Sequence, residues 1–94
     1  MVFEILTFRL AHGIDEATFR AIDERIQVEF AYQQPGFVRR KLGRHDDGRW
    51  LALTIWVDPE SALAAQTRFE ESDLGREFAR LVTDVVIERF RGVD

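Results

Sequence analysis

The chain has 94 residues, with thirteen Lys+Arg against seventeen Asp+Glu for a formal charge of -4 and 46% hydrophobic residues. That is one small domain, spanning 1-94, with enough apolar side chains for a core and too many for disorder. Cysteine is absent and the only histidines are His12 and His45, which excludes disulfides, thiolate chemistry and Cys-ligated metal sites and argues against a multi-His centre. No apolar run approaches the roughly 20 residues of a membrane helix. Met1-Val2-Phe3-Glu4 has neither a basic n-region nor a long apolar h-region, so no signal peptide is expected and the expected compartment is the cytoplasm.

Val2 to Leu10 is dense in β-forming residues and predicts a first strand, broken by His12-Gly13. Asp15 then reads as an N-cap. Phe19, Ile22, Ile26 and Phe30 recur at spacings of three and four, the apolar seam of one helix from Glu16 to Tyr32. Gln33-Gln34-Pro35-Gly36 stops it. Phe37 to Arg44 predicts a second strand, Asp46-Asp47-Gly48 a hairpin turn, and Trp50 to Val57 a third strand. On that strand Trp50, Ala52, Thr54 and Trp56 share one face, and Leu51, Leu53, Ile55 and Val57 the other. Asp58-Pro59-Glu60 opens a second helix with a buried stripe of Ala62, Ala65 and Phe69. An interruption is expected from Glu70 to Gly75, with helix resuming over Glu77 to Leu81 and a last strand over Thr83 to Arg91.

The order β-α-β-β-α-β predicts an α+β, ferredoxin-like domain, a four-stranded antiparallel sheet with its helices on one face. Phe3, Ile5, Trp50 and Trp56 cannot all lie under the helices with their alternating neighbours, so the second face is also apolar. A domain this small does not expose such a patch without a use. The expected use is a second copy, two sheets stacked into a dimeric α/β barrel.

Several residues could carry chemistry within that frame. Glu4 sits mid-strand on the face of Val2, Leu6 and Phe8, where desolvation would raise its pKa and suit it to proton transfer; the alternative is a glutamate at a sheet edge, paired with an arginine. Arg39-Arg40-Lys41 with Arg44 and Arg49 forms a basic cluster around the hairpin, and a solvated face is its default reading. Within it Arg40, in phase with Val38 and Leu42, is the arginine expected to face inward and hold an anion. Trp56 could wall a flat aromatic ligand, Tyr32 could hydrogen-bond it, and Phe69 and Phe78 flank the helix break where a cleft could open; core packing competes for the tryptophan and phenylalanines, and a capping or surface role for the tyrosine. His45-Asp46-Asp47 lies on one turn with no further converging ligand, which makes a weak metal site.

Gln34-Pro35-Gly36-Phe37, Asp47-Gly48-Arg49-Trp50, Ile55-Trp56-Val57-Asp58 and Ala62 with Ala65 together resemble the antibiotic-biosynthesis-monooxygenase-like (ABM) family of the dimeric α/β-barrel superfamily; Glu4 and Gly13 also fit. The resemblance implies a homodimer that is a cofactor-independent monooxygenase or a binder of a small aromatic molecule, in a cleft between sheet and helices. Such oxygenation needs an apolar pocket, a base and donors for the resulting anion. The haem-degrading branch carries Asn on strand one and Trp and His on the second helix, where Leu6, Ala65 and Ala79 stand here, so haem degradation is disfavoured. No nucleotide-binding glycine motif is present and no cofactor is expected. The alternative function is a non-catalytic homodimeric module that binds a ligand or partner. An RNA-recognition module shares the element order, but the third strand lacks its Lys/Arg-Gly-Phe-Gly-Phe run and the net charge is acidic, so no nucleic-acid partner is expected.

Overall fold

Alternation along the strands decides which side chains meet the helices. The computed structural model describes all 94 residues, with strands β1 (Val2–Leu10), β2 (Phe37–Arg44), β3 (Trp50–Trp56) and β4 (Val82–Arg91) and helices α1 (Glu16–Arg25), α2 (Pro59–Glu71) and α3 (Asp73–Leu81). The strands form one antiparallel sheet in the order β2-β3-β1-β4, which with the helices gives the expected ferredoxin-like α+β fold. On β3, Trp50, Ala52, Thr54 and Trp56 are buried, while Leu51, Leu53 and Ile55 are exposed or half-buried. Both tryptophans therefore belong to the helix side, and the leucines to the open side.

The strand registers arrange the helix-side residues in rows across the sheet. Leu42, Ala52, Leu6 and Ile87 form one row, and Arg40, Thr54, Glu4 and Arg89 the next. Phe37, Trp56, Val2 and Arg91 follow. Two bulges set this alignment. Val38 is an extra residue of β2 between the pairs Phe37–Trp56 and Arg39–Ile55. Asp84, at φ +56, and Val85 together oppose Phe8 on β1. The β2 bulge corrects the expected phase of Arg40: Arg40 keeps step with Leu42, but Phe37 takes the inward place in the next row and Val38 is exposed.

The first helix is not uniform. It is α-helical to Arg25, continues as a π-helical turn over Ile26–Phe30 and closes in a 3-10 turn over Ala31–Gln33, correcting the expected single helix from Glu16 to Tyr32. The Ala31 N–H reaches back to the Ile26 carbonyl, five residues away. Residues five apart diverge around an α-helix; the wider turn lets Ile26 and Ala31 both be buried. Gly36 then adopts φ +82, and a Cβ there would run into the Ser61 side chain.

The break in the second helical segment is one residue, not the expected stretch from Glu70 to Gly75. Ser72 ends α2 with its N–H donating to the Phe69 carbonyl and starts α3 with its Oγ accepting from the Gly75 N–H at 2.9 Å. Asp15 caps α1 and Asp58 caps α2, each accepting from the backbone N–H three residues on. No helix is long and apolar enough to cross a membrane.

Candidate functional site

Side-chain size on β3 opens a space under the helices. Two tryptophans stand at its ends, with Ala52 and Thr54 between them, and Ala65 of α2 is equally small. Between sheet and helices lies a half-open cavity of about 120 Å³, floored by Leu6, Ala52, Thr54 and Ile87 and roofed by Ile26, Phe30, Ala65 and Phe69. An engineered apolar cavity of roughly 150 Å³ admits benzene, so this one suits a single ring rather than a macrocycle. Trp56 and Phe78 also line it.

The polar row crosses this apolar space, and its charged members are paired. The Arg40 guanidinium donates to both oxygens of Asp23 on α1, at 2.6 and 3.2 Å, and more weakly to Gln27 Oε1 at 3.5 Å. Their side chains are 8% and 10% exposed, so neither charge has much water to fall back on. On the far side of Thr54, Arg89 Nε donates to Glu4 Oε2 at 2.8 Å, and Arg89 Nη2 donates to Gln66 Oε1 on α2. Glu4, Arg89 and Gln66 thus tie β1, β4 and α2 together. Glu4 is paired with an arginine, but on an interior strand and not at the sheet edge expected for such a pair. Thr54, though buried, takes no part in these bonds. The Trp56 indole Nε1–H is buried and has no hydrogen-bond partner.

The cavity gathers five of the six residues singled out from sequence: Glu4, Arg40, Trp56, Phe69 and Phe78. Tyr32 is the exception and corrects that expectation. It is 52% exposed and packs its ring on Phe37 with centroids 5.4 Å apart. The 3-10 turn buries Ala31 and so directs the next side chain outward. Phe69 and Phe78 meet edge to face at 5.8 Å, and Phe78 also belongs to the aromatic core. His45 lies in the β2–β3 hairpin, its Nδ1 accepting from the Asp47 N–H. No three His, Asp or Glu side chains converge as a metal site. Leu6 and Ala65, at two of the haem-degrading positions, line the cavity as apolar groups.

Two lining residues escaped the sequence reading, Thr54 and Gln66, as did Arg89, which bonds Glu4 and Gln66 from β4. Thr54 did carry a signal, a lone hydroxyl on an otherwise apolar strand face. Arg89 carried none, since its place opposite Glu4 depends on a register between the two ends of the chain.

The same architecture occurs in solved structures. SnoaB, a cofactor-independent oxygenase from Streptomyces nogalater, superposes with a TM-score of 0.84 at 24% identity, over 99% of this chain and 93% of that one. The fold is that of the ABM-like proteins. A candidate antibiotic biosynthesis monooxygenase from Caulobacter crescentus matches with a TM-score of 0.75 at 14% identity, over 99% of this chain and 90% of that one. An uncharacterized NIPSNAP domain protein from Burkholderia xenovorans matches with a TM-score of 0.72 at 14% identity, over 99% and 95% of the two chains. No family model matches the chain, and no curated protein does. An ABM-like fold hosts more than one function, so activity must be argued from the cavity.

Proposed function

We propose that this chain is a cytoplasmic homodimer that takes a small aromatic molecule into the cavity and oxygenates it without a cofactor. The observation that carries this reading is the apolar cavity with a polar row crossing its floor. A cofactor-free oxygenase needs a substrate that can itself give electrons to oxygen once deprotonated, a base, and a positive environment for the anion. Both contacts from Arg89 go to Glu4 Oε2, which leaves Oε1 to accept a substrate proton. Arg40, across Thr54 from Glu4, supplies positive charge on the other side. Trp56, Phe69 and Phe78 provide aromatic walls. A likeness to a cofactor-independent oxygenase of the same fold is in keeping with this chemistry.

The test is oxygen consumption with a panel of phenols and hydroquinones. Wild type consumes oxygen, and Glu4→Gln loses turnover while keeping its melting temperature within a few degrees. Turnover that survives Glu4→Gln removes the carboxylate from the reaction. A second reading, a non-catalytic homodimeric ligand-binding module, is favoured by the ion pairs that already occupy Glu4 and Arg40. Phenol binding with no oxygen uptake selects it.

The open sheet face supports the dimer. Val86 and Phe90 of β4 are 52% and 49% exposed, beside half-buried Phe3, Ile5, Leu53 and Ile55. One row on this face reads Lys41, Leu53, Ile5, Glu88 from edge to edge. A second copy laid with its β4 edge over this β2 edge brings Lys41 to the partner's Glu88 around an apolar centre. Lys41→Glu weakens dimerisation in sedimentation experiments, and adding Glu88→Lys restores it. A wild-type monomer at working concentration removes the dimer.

A further inference from the structure

We infer that Thr54 contacts the hydroxyl oxygen of a phenol held in the cavity and stabilises that oxygen once it is ionised. This deepens the oxygenase reading and rests on the cavity being an aromatic site.

The strand register places Thr54 at the centre of the polar row. It lies directly opposite Glu4 on β1 and Arg40 on β2. The Cβ atoms of directly opposed residues on neighbouring strands are only about 5 Å apart. A ring oxygen over Thr54 therefore lies between a carboxylate on one side and a guanidinium on the other. Ala52, two residues back on the same strand face, leaves room for the ring itself.

Thr54 is also the one member of that row with no hydrogen bond from its side chain. Arg40 is held by Asp23, and Glu4 by Arg89. Trp56 Nε1 is the one unpartnered side-chain nitrogen or oxygen that is sealed from the surface. The Thr54 hydroxyl, unpartnered as well, therefore keeps open surface, and its residue lines the cavity. A position that needed only shape and strand propensity would be served by valine, which leaves no polar atom to satisfy.

A hydroxyl can both accept and donate, which neither an ionised carboxylate nor a guanidinium can do. In a neutral phenol the ring O–H donates to Glu4 Oε1, the oxygen that Arg89 leaves free. When the proton passes to that carboxylate, the ring oxygen becomes an anion and accepts a hydrogen bond from Thr54. A hydrogen bond to an ionised oxygen is roughly twice as strong as a neutral one, so this contact tightens as the charge develops. Arg40 adds its charge from the next strand while it keeps its bonds to Asp23.

Para-nitrophenol is the probe: a single ring, a poor electron donor to oxygen, and differently coloured as phenol and as phenolate. Absorbance followed against pH reads where the bound probe ionises. Nitrobenzene, which lacks the hydroxyl, reads the fit of the ring alone by calorimetry. Thr54→Val lowers phenolate affinity about tenfold and leaves nitrobenzene affinity unchanged, so the bound probe ionises at higher pH than in wild type. Thr54→Ser restores the wild-type profile. Thermal melting checks that each variant is folded, and Thr54→Ala takes the place of Thr54→Val if the valine is not accommodated. Ionisation of the bound probe that stays where it was, or that moves to lower pH, overturns the role of Thr54 and leaves the cavity a binding site. Wild type that binds neither probe, or binding that survives Ala52→Val, overturns the cavity reading itself.

Discussion

Two hydrophobic clusters share the helix side of one sheet, and they are built differently. At one end Phe8, Phe19, Trp50 and Phe78 interlock with centroid separations between 4.9 and 6.4 Å, and Phe19 is completely buried. At the other end Val2, Trp56, Ala62 and Ala65 form a smaller cluster with one large ring among small residues. The polar row and the cavity lie along the boundary and draw walls from both. Backbone geometry is shared by the two ends; side-chain volume and one row of polar residues make the first a core and the second a candidate site. Close packing at one end holds the sheet and helices far enough apart for the other end to stay open.

The largest expected effect tests the filled end. Phe19→Ala should lower stability by about 3–5 kcal/mol in urea unfolding, since it empties the centre of the aromatic cluster. A loss under about 1 kcal/mol would erase the distinction between the two ends.

The polar row comes next. Asp23→Ala leaves the Arg40 charge buried and unpaired and should cost about 3 kcal/mol, read in the same experiment. Replacing both partners together, as Asp23→Leu with Arg40→Met, should recover most of that loss. Additive losses in the double variant would show that the two side chains contribute separately rather than as a pair.

Filling the cavity between the two ends should have the opposite sign. Ala52→Val adds volume beside the cavity and suits a strand, so it should stabilise by about 1 kcal/mol while abolishing small-aromatic binding. Destabilisation would mean that the space beside Ala52 does not admit a branched side chain.

The smallest effect is acidic. Asp58, by its bonds from Ser61, and Asp15, by its bonds from Thr18, are each held below the ordinary value of 3.8. The folded chain therefore takes up these protons at lower pH than the unfolded chain. Their stabilisation is full above the ordinary value and fades as pH falls through the lowered one. Melting temperature should drop more steeply below about pH 4 in wild type than in Asp58→Asn, whose cap does not titrate. Parallel curves would remove the caps as a source of acid sensitivity.

Much of the frame was legible in the sequence for local reasons. The four strands and the starts of α1 and α2 appear within a residue of their expected places, because alternation, N-caps and the Asp-Gly turn act over a few residues, whereas α3 starts at Asp73 instead of Glu77. The helix ends were harder. The π turn at Ile26–Phe30 follows from burying Ile26 and Ala31 together, a demand of the sheet beneath and not of helix propensity. Ser72 shortened the expected interruption because one side chain serves both helix ends. The inward place of Arg40 was readable from alternation with Leu42, whereas the bulge at Val38 was not.

Local sequence sets the element order, the faces of β1 and β3 and the small residues between two tryptophans. These depend on neighbours in the chain, whose spacing is set by the backbone repeat. Only the tertiary structure decided that Glu4 meets Arg89, that Arg40 meets Asp23, and that Trp56 is left with an unpartnered donor beside a cavity. Those outcomes depend on the register between distant strands and on which side chains the helices bring down onto them. Glu4 and Arg89 are 85 residues apart, and their meeting is set by the whole sheet rather than by either segment.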